Sequence, residues 1–152
     1  LVINTFSKSR SLAGARVGFA IADSQIIEDL KKVKNSFHPY NVNSVSSALA
    51  IAAMNDREYF ENSVKCVKIS REKFTQELKK LGFSVLPSSA NFVLAKSEKI
   101  SGEELYIKLK DNGVLVRYFS SAKISDYVRI TVGTDLEMQT LIEKIKLILG
   151  AK

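Results

Sequence analysis

Residues 5–22, TFSKSRSLAGARVGFAIA, place Lys8 and Arg16 eight positions apart between two apolar segments. The flanking segments, 1–6 and 16–22, have the apolar and β-branched composition of short buried strands. The linker between them is rich in Ser, Ala and Gly, which is typical of a turn. If the two strands pair, we expect both ends of the linker to converge at one end of the pair.

The side chains of this linker are suited to hold an anion. Thr5 and Ser7 supply hydroxyl groups, and Arg16 supplies a planar guanidinium that matches a phosphate. Gly14 and Gly18 would let the backbone approach closely. A partly desolvated lysine at a strand end can become a nucleophile or a general base, although such a lysine is more often a solvated strand terminus. A lysine amine beside a phosphate site is the arrangement that a pyridoxal phosphate enzyme needs.

Composition limits the class of protein. The chain has 152 residues, of which 45% are hydrophobic and 26% charged, as expected for an ordinary globular domain. No apolar run approaches the roughly 20 residues that span a bilayer, so we expect no membrane partner. One cysteine and one histidine exclude an internal disulfide and a Cys/His zinc cluster. We expect no metal, a buried thiol at Cys66, and a reducing, cytoplasmic compartment.

The formal net charge of +7 is a property that many nucleic-acid-binding proteins share. Here the basic residues alternate with acids at helical spacing, as on a solvated helix face. No segment interleaves aromatic side chains with arginines as a base-stacking surface would. We therefore expect no nucleic-acid partner, and a positive field also suits an anionic small substrate.

Beyond the linker, apolar periodicity predicts alternating helices and strands. From Asn35 onward the order is helix, helix, strand, strand, helix, strand, strand, helix. That order predicts an α+β layer with helices on one face of a small sheet. The predicted helices cover 25–36, 44–55, 57–81, 101–110 and 135–149, and the predicted strands 83–87, 91–96, 114–119 and 127–133.

Four further residues are candidates for substrate contacts. Arg117 and Arg129 lie on adjacent predicted strands among apolar residues. A buried guanidinium without a partner is costly, so each arginine needs an acidic partner or an anionic ligand. A structural ion pair or an edge arginine that reaches solvent is the alternative. Asn91, before a strand, and Tyr40, in FHPYNVN, fit a ligand contact or ordinary turn chemistry.

The segment TFSKSRSLAGARVGFA resembles the lysine segment of the class I/II aminotransferases. In that family a lysine is preceded by hydroxyl residues one and three positions earlier, as Ser7 and Thr5 precede Lys8 here, and Arg-x-Gly-aromatic begins seven to nine positions after the lysine. Ser9 and Arg10 depart from the commonest form, in which small or aromatic residues are more usual. PYNVNSVSSALA, SSANFVL and GVLVRYF…YVRITVGT resemble, in order, segments of the histidinol-phosphate branch of the family, so the resemblance extends from residue 2 to about 135.

The resemblance implies the C-terminal part of a fold-type I pyridoxal-phosphate-dependent transferase, α/β to α+β in class. Residues 1–34 would complete its cofactor-binding large domain, and residues 35–152 would form its small C-terminal α+β domain. The implied activity is transamination of histidinol phosphate with 2-oxoglutarate and glutamate, in a cytoplasmic homodimer. The family's other cofactor-binding residues precede the lysine, so we expect these 152 residues alone to be inactive.

The resemblance also implies roles for individual side chains. Lys8 would be the catalytic residue, bonded to pyridoxal 5'-phosphate and able to move a proton during the reaction. The implied cofactor-binding residues are Thr5, Ser7, Lys8 and Arg16, and the implied substrate-binding residues are Arg117, Arg129, Asn91 and Tyr40.

Three other hypotheses remain open. A threonine-phosphate decarboxylase shares much the same motifs and also takes a phosphorylated substrate, and another class I/II aminotransferase belongs to the same alternative. From a different class, the chain could be a non-catalytic module that binds an anion or a partner. A basic nucleic-acid binder is the third alternative.

Overall fold

The computed structural model describes residues 1–150, which fold into two compact units that divide between Val64 and Lys65. The boundary predicted between residues 34 and 35 stays a prediction. In chain order the elements are β1 (Val2–Thr5), a short 3-10 helix (Ala13–Ala15), β2 (Gly18–Ile21), α1 (Ser24–Phe37), α2 (Ser44–Asn55), α3 (Arg57–Lys80), β3 (Phe83–Val85), β4 (Phe92–Ser97), α4 (Gly102–Asp111), β5 (Arg117–Tyr118), β6 (Val128–Thr131) and α5 (Asp135–Leu149).

The first unit contains the β1–β2 hairpin, α1 and α2. The two strands pair antiparallel, as expected. Asp23 and Asn43 are the N-caps of α1 and α2, because their side-chain oxygens accept hydrogen bonds from otherwise unpaired backbone N–H groups. A small core cluster holds Phe6, Val17 and Ala50.

Burial of the two strands differs from the sequence prediction. All residues of β1 and β2 are exposed, so the expectation of buried strands is wrong for this structure. The strands pair only with each other, and no second layer of the unit covers their apolar side chains. Four apolar side chains of α1 are exposed as well, Ile26, Leu30, Val33 and Phe37, the last at 91%.

The second unit is the predicted α+β layer. Its antiparallel sheet has the strand order β3-β4-β6-β5. Alternate residues of the central strands, Val93 and Ala95 on β4 and Val128 and Ile130 on β6, belong to one buried core cluster. That cluster also includes side chains of α3, α4 and α5, so the helices cover one face of the sheet. Residues between them in sequence point to the opposite, open face.

Two details of the second unit correct the sequence predictions. The strand predicted over 114–119 is shorter in the structure. Within the described residues, only its Arg117 and Tyr118 pair with β6. Cys66 is exposed rather than buried. It lies on the helical stripe of Ser70 and Phe74, but the buried part of α3 begins at Ser70, so the stripe extends beyond the core.

No helix within residues 1–150 has both the length and the apolar character that a membrane span requires.

Candidate functional site

The segment between β1 and β2, residues 6–17, is called the lysine loop below. Its ends are joined by a hydrogen bond from the Phe6 N–H to the Val17 carbonyl, 3.1 Å long. A β-carbon placed on Gly18 would lie 2.9 Å from the Asn4 carbonyl oxygen, so the strands approach closely there, as expected. The same expectation is wrong for Gly14, which has open space around it.

The hydroxyl groups predicted to bind an anion lie together. The Thr5 hydroxyl donates to Ser7 Oγ over 2.9 Å, and the Ser7 backbone N–H donates to Thr5 Oγ1 over 3.1 Å. Each hydroxyl group both donates and accepts, and its proton rotates, so this pair can turn its protons toward a bound anion.

The two basic residues of the lysine loop are exposed. Arg16 has a left-handed backbone with φ 56°, and its Nη1 donates to the Ala13 carbonyl over 3.1 Å. Arg16 is the C-cap of the 3-10 helix, and left-handed backbone is common at the end of a helix. Neither Lys8 nor Arg16 forms an ion pair within residues 1–150.

The lysine loop therefore fits the phosphate of the implied cofactor. Residues 5–18 contain the hydroxyl groups of Thr5 and Ser7, the amine of Lys8, the guanidinium of Arg16 and no carboxylate. These groups are donors suited to a dianion, and the amine is the group that would bond to the cofactor's carbonyl carbon.

On the open face of the second unit, Arg117 and Arg129 lie directly opposite each other. They are register partners across the β5–β6 pair, and Leu94 of β4 is the partner of Arg129 on its other side. Two aromatic rings flank the Arg129 guanidinium, with ring centroids 5.3 Å (Phe92) and 5.6 Å (Phe119) from its Cζ. The Phe119 ring is also 5.3 Å from Arg117 Cζ.

Both arginines are positively charged, and no ion pair within residues 1–150 balances them. Like charges directly opposite on a sheet are destabilising, and the Nε of Arg129 is buried without a hydrogen-bond acceptor. The six ion pairs among the described residues involve neither arginine. The acidic partner considered from the sequence is thus not found in residues 1–150. Arg117 is exposed on the edge strand β5 and Arg129 is half-buried, so the burial expected of both arginines is found only at the Nε atom of Arg129.

The other two predicted substrate residues have weaker structural support. Asn91 is exposed, and its carbonyl accepts a hydrogen bond from the Val132 N–H over 2.8 Å. It directly precedes Phe92, which brings it to the edge of the arginine pair. Tyr40, between α1 and α2, is 91% exposed, and its role stays a prediction.

Sequence reasoning missed the aromatic residues around the arginines. Phe119 is two positions after Arg117, and side chains two apart on a strand share a face. The two-residue spacing could therefore have predicted that Phe119 lies beside Arg117. No such signal identified Phe92, because its contact with Arg129 depends on the pairing of β4 with β6.

No cluster of three or more His, Cys, Asp or Glu side chains capable of holding a metal ion occurs in the described part of the chain.

The sequence is similar to known proteins over nearly its whole length. The sequence matches the family model "Aminotransferase class I and II" over residues 1–145. It is 50% identical over 149 residues to a histidinol-phosphate aminotransferase of Brachyspira hyodysenteriae, covering 98% of this chain and 42% of that relative. The chain therefore spans less than half the length of this relative.

Solved structures show the same likeness in three dimensions. The histidinol-phosphate aminotransferase from Clostridium acetobutylicum superposes with a TM-score of 0.87 at 29% identity, covering 97% of this chain and 45% of that one. The histidinol-phosphate aminotransferase from Sinorhizobium meliloti, solved in complex with pyridoxal-5'-phosphate, gives 0.83 at 27% identity, covering 97% and 40%. Because the family match extends over nearly all of its residues, this chain belongs to the class I and II aminotransferase family.

Proposed function

We propose that this chain contributes the cofactor lysine and the substrate-anchoring arginines of a pyridoxal-phosphate-dependent aminotransferase. Its substrates would be histidinol phosphate and the pair glutamate and 2-oxoglutarate. The working enzyme would be a homodimer of a longer polypeptide, and residues 1–152 alone would be inactive. The similarity to histidinol-phosphate aminotransferases supports the choice of substrate.

The observation that carries the proposal is the juxtaposition of Arg117 and Arg129. Two guanidinium groups are placed opposite each other on a sheet, and one has a buried, unpaired N–H. An anion between them would accept that N–H and offset the repulsion between the two charges. A phosphate monoester or a carboxylate has the required charge and planar acceptor pairs. These are the anionic groups of the proposed substrates.

The lysine loop would hold the cofactor. The Ser7 hydroxyl, the Thr5 hydroxyl and the Arg16 guanidinium would bind its phosphate, and Lys8 Nζ would bond to its carbonyl carbon. Once bound, pyridoxal phosphate supplies an electron sink for the substrate carbon that carries the amine. Once the substrate amine has displaced it from that bond, the free Lys8 Nζ would take the proton from the substrate carbon as a base and then deliver it as an acid. Arg117 and Arg129 would bind the substrate by its anionic end.

The cofactor part is tested by reducing the full-length holoenzyme with borohydride and mapping the labelled peptide. We expect the label on Lys8 and none in Lys8→Ala. The Lys31→Ala variant, which removes an exposed amine paired with Glu28, should label like the wild type. A label on another lysine would contradict the assignment.

The substrate part is tested by kinetics of Arg117→Gln and Arg129→Gln in the full-length enzyme. We expect KM for histidinol phosphate to rise roughly 10- to 100-fold for Arg129→Gln, because one charge-assisted hydrogen bond to the substrate is lost. Arg57→Gln, which removes an exposed arginine of α3, is the control. If O-phosphothreonine loses CO2 faster than histidinol phosphate is transaminated, the enzyme is a decarboxylase. If phosphate binds and no lysine is labelled, the chain is a non-catalytic anion-binding module.

A further inference from the structure

The side chain of Arg10, which departs from the usual family pattern and has no role in the proposed reaction, makes specific contacts in the first unit. Its Nη1 donates a 2.7 Å hydrogen bond to the carbonyl of Ala53 and lies 3.5 Å from the carbonyl of Asp56. Its Cζ lies 3.7 Å from the ring centroid of Phe60. The guanidinium is thus held from one side by backbone carbonyls and from the other by an aromatic face.

These contacts supply a hydrogen-bond donor and a positive charge at the C-terminal end of α2. The last carbonyls of a helix have no partner within the helix, and the C-terminus carries a partial negative charge. Ala53 lies in the last turn of α2, and a cation that donates to its carbonyl is favoured there on both counts. The stack on Phe60 adds a cation–π contact to the same group.

The backbone of Arg10 belongs to the turn that carries Lys8. The Arg10 and Leu12 N–H groups both donate to the Phe6 carbonyl, over 3.3 and 3.1 Å. The Ser11 N–H donates to the Lys8 carbonyl over 3.2 Å, with Ser11 in the left-handed conformation at φ 55°. Residues 6–12 therefore form one hydrogen-bonded turn, and the Arg10 side chain connects it to α2 and to Phe60.

Besides this connection, the turn is restrained by Phe6 and Leu12, which pack in the small core cluster of the unit. The adjoining strands are exposed, and the core of the unit is small. Lys8 itself is exposed, so packing does not hold its side chain in place. A displacement of about 1 Å at a proton-transferring group is enough to cost roughly 100-fold in rate.

We propose that Arg10 is a positioning residue that fixes the turn of residues 6–12 against α2 and thereby sets the place of the Lys8 amine. This role rests on the proposed function, because it concerns the reaction only if Lys8 bonds to the cofactor. Arg10 binds no substrate or cofactor group itself, since its guanidinium is occupied by Ala53 and Phe60.

Two measurements test the proposal, with Arg10→Ala, Arg10→Lys and the control Arg57→Ala. Arg57 has the same charge as Arg10. In the described chain its only ion-pair partner is Glu61, one turn further along the same helix. In the 152-residue chain, amide hydrogen exchange at Arg10, Ser11 and Leu12 should quicken about tenfold in Arg10→Ala and stay unchanged in Arg57→Ala. Arg10→Lys keeps one donor for Ala53, so it should recover part of the protection.

In the full-length holoenzyme, Arg10→Ala should lower kcat about tenfold and leave KM for histidinol phosphate within about twofold. A purely structural role would lower the thermal midpoint without this split, and Arg10→Lys should restore part of kcat. Unchanged exchange in Arg10→Ala, or equal changes in kcat and KM, overturns the positioning role while borohydride labelling of Lys8 still supports the proposed function. Faster exchange with no label on Lys8 is the reverse outcome: the turn is fixed by Arg10, and the proposed function has failed.

Discussion

The two units of this chain differ in how much of each is buried. The core cluster of the first unit contains three buried hydrophobic residues, whereas that of the second contains fourteen. The hairpin that carries Lys8 is exposed along both strands, while the sheet that carries Arg129 has one face covered by helices. The arginine pair is therefore held by the fold of its own unit. The lysine loop depends on individual contacts, of which the Arg10 guanidinium is the most specific.

The largest effect should come from truncating the core of the second unit. Leu78 is fully buried on α3, so Leu78→Ala should lower the free energy of unfolding by about 2–5 kcal/mol. Leu49 on α2 is 45% exposed, and Leu49→Ala should cost less than about 1 kcal/mol. Urea unfolding of both variants measures the contrast. Equal losses would show that the two units are not as different as their burial indicates.

A smaller effect is expected from two glycines, Gly14 in the lysine loop and Gly18 at the start of β2. Gly18→Ala would bring a methyl group against the Asn4 carbonyl, so we expect a loss of about 1–3 kcal/mol from the resulting strain. Gly14→Ala meets open space and should be neutral or slightly stabilising, because alanine restricts the unfolded chain. Thermal unfolding of the pair checks this, and a greater loss in Gly14→Ala would refute the close approach of the strands.

On the arginine side, the aromatic contacts should tune anion affinity. Phe119→Leu removes the ring shared by both guanidinium groups, so we expect Kd for inorganic phosphate to rise about two- to tenfold. Phe119→Tyr keeps the ring and should bind like the wild type. Tyr118→Leu is the matched control, since its ring stacks on Tyr106 instead. Calorimetric titration of the 152-residue chain gives each Kd, and an equal rise in Tyr118→Leu would contradict the role of Phe119.

The smallest effect concerns pH and the N-terminus of α5. The Thr134 N–H and hydroxyl both donate to Glu137 Oε2 over 2.8 Å, and these bonds lower the pKa of Glu137 below its usual 4.5. Because the folded state holds this proton less tightly than the unfolded state, the contribution to stability is fully present above pH 4.5. It is lost as pH falls through the lower, folded-state pKa.

Glu137→Gln should therefore destabilise the chain at neutral pH and converge with the wild type in strong acid. Glu143→Gln removes the same charge from the middle of α5 and serves as the control. Urea unfolding at several pH values below 6 provides the measurement. A difference from the wild type that is constant over this range would rule out the ionised capping box as its source.

Much of the fold could be predicted because its signals are local. The caps Asp23, Asn43 and Ser101 and the helical spacing of apolar residues depend only on neighbours within about four positions. The burial of β1 and β2 could not be predicted in this way, because burial depends on which other layer covers a strand. The exposure of Cys66 has the same origin, since the helical stripe on α3 is longer than the core beneath it.

By itself the sequence determined the order of helices and strands and the donor chemistry of Thr5, Ser7, Lys8 and Arg16. Only the tertiary structure placed Arg117 opposite Arg129, set Phe119 between them and left the Arg129 Nε without an acceptor. It also connected Arg10 to Ala53, 43 positions away. The physical reason is that backbone conformation responds to adjacent residues, whereas charge pairing and desolvation depend on groups that only folding brings together.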